Sequence, residues 1–428
     1  MNNKKCLVFT WYFPPINSSE GICTYKLVNN SKKNYDIFTQ NSNSNWSYGK
    51  NAILKLNSNI NVVKNDSSDI ESWQKEAVKY FEKNKDKYDS IMSRSNEPES
   101  HDIALIIKRK YPKIKWIASF GDPIANNPYN NLFMAKSPYK IKGNDILNQP
   151  ILKILSPKRI IKNMWWNYKN EKYLRLHTRY YKNKKTEKNT ILNCDYLVFN
   201  NKYQMEYMLN GYSKKVKDKS IIIPHSFDKC IYGKSNDKKN DKFTISYLGH
   251  LDDDRTPRQL LKALCHLKNE RYDLYNKIVF NVYGNMSSKD KVYIVDNSLS
   301  DVVHFKSSVD YLNSLIIMSE SDLLLVIDAN LAKYIDTNIF FAAKISDYIG
   351  AGKPIFAITM QNGASADIIR DVGGCVSSFS ENEIYMYLVN IIEGKLKINL
   401  NKNVEIYNVK IVAEEFDKFV GFERLCKK

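Results

Sequence analysis

Long apolar runs are missing from this 428-residue sequence. None approaches the ~18 residues of a membrane-spanning helix, which disfavours an integral membrane protein of the helical type. The opening Met1-Asn2-Asn3-Lys4-Lys5 leads into a short apolar stretch ending at Pro14-Pro15, too short and wrongly flanked for a secretory signal. Glycine (15) and proline (12) are too few for a fibrous or low-complexity chain. The seven cysteines (Cys6, Cys23, Cys194, Cys230, Cys265, Cys375, Cys426) are scattered, odd in number and without a CxxC. They read as buried or incidental thiols in a reducing cytoplasm, not as a disulfide frame or a zinc site. Acid is short too: 46 Asp and Glu against 65 Lys and Arg leave a formal charge of +19. That excess fits an anionic partner (nucleic acid, acidic lipid or a phosphorylated substrate), while the abundance of Asn, Lys and Ile gives compositional bias a share in it.

What is present is ordinary for a chain that buries a core, 43% apolar and 26% charged, and its length predicts two or three domains. Short β-rich runs alternate with helical patterns. Strands are expected at Cys6–Thr10, Tyr35–Thr39, Ile60–Lys64, Tyr88–Ser93, Lys115–Ser119, Tyr196–Phe199 and Ser220–Ile223, with helices such as Ser72–Glu82 and Ser100–Tyr111. The pattern then restarts. Strands are expected at Phe243–Leu248, Ile278–Tyr283, Val302–Phe305, Leu323–Ile327, Pro354–Ile358 and Cys375–Ser377. Helices are expected at Pro257–Leu267, Tyr311–Ser319, Phe340–Ile349, Ser365–Asp371 and Glu381–Ile392. The polar run Lys234–Lys242 separates the two units as a linker. Such alternation predicts two doubly wound parallel sheets facing across a cleft, where ligands of these sheets bind.

One segment fits neither unit. From Tyr129 to Thr190, 15 Lys and Arg stand against three acids, a net +12. Ser156-Pro157 reads as a helix start. Ile160, Ile161, Met164 and Trp165 then share one helical face, with Lys158, Arg159 and Lys162 beside it. A basic amphipathic helix with interfacial aromatics is what a segment lying on an anionic membrane requires, here over 151–188. An insertion docked on its own domain is the plain alternative. No RNP, zinc-finger or helix-turn-helix pattern supports specific nucleic-acid binding.

Three stretches carry candidate chemistry. Trp11 to Pro15 and then Ser18-Ser19-Glu20-Gly21 form a strand end, a loop and a helix start, where small residues let a ligand reach backbone N–H groups. It is not a GxGxxG. Gly249-His250-Leu251-Asp252-Asp253-Asp254-Arg255 again lies between a strand and a helix; Arg255 can hold a diphosphate or pair with the three aspartates beside it. Ala343 to Pro354 puts Lys344 and Asp347 on one helical face, either as a surface ion pair or as a phosphate-facing lysine beside a ribose-binding carboxylate.

In this order the three stretches resemble the GT-B glycosyltransferases, most closely the family-4 retaining type, over most of the chain except the basic insertion. Ala343–Pro354 is similar to that family's helix and "aGkP" turn, with Asp347 at the second Glu of its Glu-x7-Glu motif. Gly249–Arg255 is similar to its "GR…K" stretch, with His250 in place of the Arg and Arg255 in place of the Lys. Pro14-Pro15 to Gly21 resembles its "PP…GG" loop, and Cys194–Val198 and Ile223-Pro224-His225 resemble two further elements. The resemblance implies a donor side of Gly21, Gly249, His250, Arg255, Lys344, Ile345 and Asp347, and an acceptor side of Glu20 and Asp122. Asp122, Arg255 and Lys344 would carry the chemistry. It also implies domains at 1–233, with the insertion at 129–190, and at 234–405. Residues 406–428 form a returning tail, with a helix near Val412–Val420.

The first Glu of that motif falls at Ile339, which cannot bond a sugar; Asp336, Asn338 or backbone amides are left to replace it. Asp122 ends a strand in Ser119-Phe120-Gly121-Asp122-Pro123 and is either a cleft carboxylate or an Asx cap. His225 reads as a structural hydrogen-bonding residue, and Ser93-Arg94 as a weaker acceptor-side candidate. The expected function is transfer of a hexose-type sugar from a nucleotide diphosphate sugar to a glycan or lipid-linked glycan hydroxyl, retaining and without metal or cofactor. It would run in bacterial surface polysaccharide or glycoconjugate synthesis, at the inner face of the cell membrane. A non-catalytic GT-B partner subunit and a basic nucleic-acid-binding protein are the alternatives.

Overall fold

The structure is a computed structural model and describes residues 4–16, 18–41, 54–95, 97–130, 157, 171–233 and 240–422, with the backbone alone for 171–179. Two parallel sheets follow one another in the chain. The first holds β1 (Lys5–Phe9), β2 (Tyr35–Gln40), β3 (Ile60–Asn65), β4 (Tyr88–Arg94), β5 (Lys115–Phe120), β6 (Tyr196–Phe199) and β7 (Ser220–Ile222), in the order β3-β2-β1-β4-β5-β6-β7. Its helices are α1 (Ser19–Asn30), α2 (Ile70–Asn84), α3 (Glu99–Lys110), α4 (Glu171–Asn193) and α5 (Lys202–Met208). The second holds β8 (Phe243–Leu248), β9 (Ile278–Tyr283), β10 (Val303–Lys306), β11 (Leu323–Ile327), β12 (Ile355–Ile358) and β13 (Cys375–Ser377), in the order β10-β9-β8-β11-β12-β13. With it go α6 (Arg258–Glu270), α7 (Ser288–Asp296), α8 (Tyr311–Glu320), α9 (Ala343–Ala351), α10 (Ala364–Asp371) and α11 (Glu381–Ile392). The last helix, α12 (Val409–Val420), returns to the first sheet.

The central strands are apolar on both faces because helices cover both. In β1, Cys6 and Val8 point to one core, shared with α1 and α12, while Leu7 and Phe9 point to the other, under α2 and α3. In β11, Leu323, Leu325 and Ile327 face α6 and α11, and Leu324 and Val326 face α9 and α10. Alternation along one strand thus places two layers of helices. In each sheet the order reverses beside its first strand, β1 or β8, and the carboxyl ends of the strands there open into the cleft.

All thirteen expected strands are present. The helix expected at Phe340–Ile349 begins instead at Ala343, because the preceding turn is held elsewhere: the Phe340 N–H donates to Asn338 Oδ1, and Phe340 and Phe341 are buried. Helix α7 went unseen because only Asp290 and Ile294 are buried along it, which leaves no apolar stripe. The amphipathic segment Lys158–Trp165 lies outside the described residues.

Buried polar bonds tie the units and the tail together. Lys26 on α1 is fully buried and pairs with Asp347 on α9, Nζ to Oδ1 2.9 Å. Tyr311 at the start of α8 donates to the same oxygen at 2.9 Å, and the Tyr232 hydroxyl donates to the Asp347 carbonyl at 2.6 Å. At the tail, Asp417 on α12 accepts the Ser31 hydroxyl at 2.5 Å and the Lys32 N–H at 2.7 Å, both just past the end of α1. Removing one partner of a buried pair leaves an uncompensated charge. Lys26→Met is therefore expected to lower unfolding free energy by about 3–5 kcal/mol in urea titration, and adding Asp347→Asn should recover part of it. A loss below about 1 kcal/mol would show that the pair is not the tie described here.

Candidate functional site

The cleft is built from strand ends and helix starts. Gly249 follows β8 with φ +135°, a conformation that L side chains rarely adopt. A Cβ there would sit 2.7 Å from Lys344 Nζ, so glycine is what lets this turn and that amine approach each other. Lys344 lies in the first turn of α9 with its amine over the Tyr247 ring, 4.0 Å from the centroid. The residue is half-buried, but its Nζ is fully buried and has no hydrogen-bond partner. Burial and the neighbouring Arg255 push its pKa down to about 7, against the opposing pull of Asp328. It is not paired with Asp347, which Lys26 holds.

Arg255 shows the same feature. Asp252 Oδ1 accepts the backbone N–H groups of Asp254 and Arg255, an Asx turn that closes the loop. The guidinium's expected alternative does not form: among the described residues Arg255 makes no ion pair with the three aspartates. Its Nη2 donates to the Tyr129 hydroxyl at 3.2 Å, and its Nε is buried without a partner. Two cations therefore converge on one region, each with an unused buried donor.

Asp122 follows β5 on the opposite wall. It accepts no hydrogen bond among the described residues, so it is not an Asx cap. Its side chain is exposed at the cleft surface, yet desolvation by the protein massed around it raises the carboxyl to about 6, with the Glu20 charge adding and the Arg255 charge opposing. Glu20, in the first turn of α1, accepts Arg94 Nε at 2.8 Å, and Arg94 Nη1 donates to Ser119 at 2.6 Å. Gly121 keeps this approach open, since a Cβ there would sit 2.7 Å from Glu20 Oε2. Gly21 packs against the backbone of Tyr12 and Phe13. Loop 122–130 is fixed from α4: Glu187 accepts the N–H groups of Ile124 and Ala125, both at 2.9 Å, and Tyr180 donates to Asn126 at 3.0 Å. From the end of that loop Tyr129 crosses to the second unit, where it meets Arg255 and packs on Phe340.

Other expected site residues sit apart from the ligand face. Ile345 is a correction: its side chain is fully buried in the core and its N–H donates to the Ala342 carbonyl, so it offers a ligand nothing. His250 accepts the Asn285 N–H with Nδ1 at 3.2 Å and shapes the turn. His225 packs at a tilt on Phe341 and lies 3.5 Å from Asn200 Nδ2; burial pushes its imidazole down to about 3, so it stays neutral. Asp336 is exposed, and Ile339 is buried. Two residues here had escaped the sequence reading. Tyr129 gave no signal beyond being one aromatic among many. Asp328 did give one: it closes the apolar run Leu323–Ile327, and a charge at the carboxyl end of a buried strand faces a ligand edge.

No protein-family model and no curated protein matches the sequence. Solved structures do match in shape. Sucrose-phosphate synthase from Thermosynechococcus elongatus is similar over 99% of this chain and 100% of its own, at 11% identity and a TM-score of 0.66. A glycosyltransferase from Rickettsia africae ESF-5 is similar over the whole of both chains, at 12% identity and 0.58. AviGT4, a glycosyltransferase involved in avilamycin A biosynthesis, is similar over 99% of each, at 11% and 0.56. The chain has the GT-B fold. Its cleft residues are those described above. Among the described residues, no group of three or more His, Cys, Asp or Glu is placed to hold a metal ion. No described helix is long and apolar enough to cross a membrane.

Since the folded chain holds Lys344 near 7 rather than 10.5, the unfolded chain binds the extra proton between those values. Stability should therefore rise with pH across that window. Lys344→Met is expected to raise the unfolding midpoint at neutral pH and to flatten this rise, as followed by thermal denaturation from about pH 7 to 10. An unchanged slope would place the amine in water.

Proposed function

We propose that this chain transfers a sugar from a nucleotide diphosphate sugar to an acceptor hydroxyl, with retention at the anomeric carbon. One observation carries the reading: Arg255 Nε and Lys344 Nζ are buried donors without hydrogen-bond partners, near enough in a GT-B cleft for the Arg255 charge to push the lysine down. Buried charge is costly unless compensated, and a diphosphate compensates both. The fold itself hosts the activity in the named relatives but does not assign it here.

The bond from the anomeric carbon to the diphosphate breaks, and its electron pair stays on the phosphate oxygen. Arg255, Lys344 and the start of α9 stabilise that developing charge, which lets the site work without a metal. The acceptor oxygen bonds to the anomeric carbon on the same face and gives up its proton. Asp122, raised towards neutrality, orients the hydroxyl and takes the proton. Asp347 holds the ribose: both of its side-chain bonds fall on Oδ1, which leaves Oδ2 open.

The exposed face of α4 supports a place at an anionic membrane, with a lipid-linked glycan as acceptor. Tyr181, Lys184, Lys185, Lys188 and Leu192 are all exposed there. Charge reversal of the three lysines should release the protein from vesicles containing acidic lipid, and unchanged sedimentation with them would remove this part.

Thermal-shift and donor-hydrolysis screening with UDP- and GDP-sugars, without metal, tests the main reading. A stabilising donor is expected, its effect lost in Arg255→Ala and Asp347→Ala. No response to any donor would favour a non-catalytic partner subunit. Turnover should fall below about pH 6 as Asp122 protonates. Asp122→Asn should lower turnover by about 10²-fold or more with little change in donor affinity.

A further inference from the structure

Asp328 follows β11 and is 6% exposed. Two donors reach it, Thr359 Oγ1 at 2.8 Å and Asn338 Nδ2 at 3.1 Å, and both fall on Oδ2. Oδ1 accepts nothing among the described residues. The tether is itself rigid. Asn338 is 2% exposed, its Oδ1 is taken by the Phe340 N–H, and its backbone pairs with Gly363. Gly363 has φ +129°, and a Cβ there would overlap the Asn338 backbone, so this contact needs glycine. The carboxylate is thus fixed in rotation, with one oxygen turned away from its anchors.

The carboxylate lies near the site's cations. The charge of Asp328 acts on Lys344, Arg255 and Tyr129, yet among the described residues it forms no ion pair with either cation. A carboxylate beside two cations but not collapsed onto them leaves room for a ligand group that donates to it. The bridging diphosphate of a nucleotide sugar cannot do so, because all its oxygens are deprotonated acceptors at neutral pH. A hydroxyl can. Of the residues expected to take a sugar hydroxyl, Ile339 is apolar and buried, both ends of the Asn338 amide are used internally, and Asp336 is exposed to solvent.

We propose that Asp328 Oδ1 is the acceptor for hydroxyls of the donor sugar, positioned by Asn338 and Thr359. This rests on the nucleotide-sugar reading above. With the diphosphate on Arg255 and Lys344, the sugar follows it into the space that Asp328 and Tyr129 border. A charge-assisted bond there discriminates between sugars by hydroxyl position.

The test is calorimetric titration of wild type, Asp328→Asn and Thr359→Val with UDP, UDP-glucose, UDP-N-acetylglucosamine, GDP and GDP-mannose. In Asp328→Asn the tethers demand an oxygen, so the amide turns its NH2 to the ligand. Affinity for the preferred nucleotide sugar should fall by about tenfold to a hundredfold, while affinity for the matching nucleoside diphosphate stays within about twofold. Thr359→Val keeps the charge but frees its rotation, and should give a smaller, equally selective loss. Equal losses for sugar and diphosphate, or no loss, would overturn the assignment while leaving the nucleotide site standing. Wild type that binds none of the five would overturn both readings. If Asp328→Asn does not fold, the selective loss in Thr359→Val decides.

Discussion

The bond between Lys26 and Asp347 is the constraint on which the cleft depends. It joins α1 of the first sheet to α9 of the second, and both helices begin at the cleft. Glu20 lies six residues before Lys26, and Lys344 three residues before Asp347. Pinning the helices at these points sets the acceptor wall against the donor wall. With full burial of Lys26, water does not compete for the pair, and Tyr311 satisfies the same oxygen. An ion pair so placed is a positioning device before it is a source of stability, since desolvation consumes much of its attraction.

The same economy governs the rest of the site. Loop 122–130 brings Asp122 and Tyr129 to the cleft because Glu187 of α4 caps its N–H groups, Tyr180 holds the Asn126 side chain and Tyr207 the Asn126 carbonyl. Burial raises Glu187 to about 7, though the two N–H groups it caps pull the other way. The described part of the basic segment is thus structural on its inner side and lysine-rich on its outer side. On the proposed reading, one helix would both meet an anionic surface and hold the loop that carries Asp122.

Strand positions were legible because a sheet covered on both faces demands unbroken apolar runs, and Leu323–Ile327 or Ile355–Ile358 can be little else. Gly249 and Arg255 were legible as punctuation after a strand and before a helix, and Lys344 as the residue sharing a helical face with Asp347 ahead of the Gly350–Pro354 turn. Ile345 was misplaced because a helix start exposes one residue in three or four to a ligand, and spacing alone did not say which. The Lys26–Asp347 pair was out of reach: 321 residues separate its members, and neither carries a local signal. Tyr129 was hidden for the opposite reason, lying at the edge of a segment rich in aromatics.

Two cations and two carboxylates in one cleft would ordinarily neutralise each other. Here they do not, and the reason is the way each carboxylate is tied. Asp347 and Asp328 each offer one oxygen to two protein donors and keep the other outward. A carboxylate free to rotate would swing onto Lys344 or Arg255, and a substrate would have to break that pair before binding. Tethering removes this reorganisation in advance. It also preserves a separation of sign, with cations where the proposed donor's diphosphate would lie and anions where its hydroxyls would lie. A nucleotide sugar has that same sequence of charge, with ribose and sugar hydroxyls on either side of the phosphates. The match lies in the ordering of charge along the cleft, which no single residue of the site could specify.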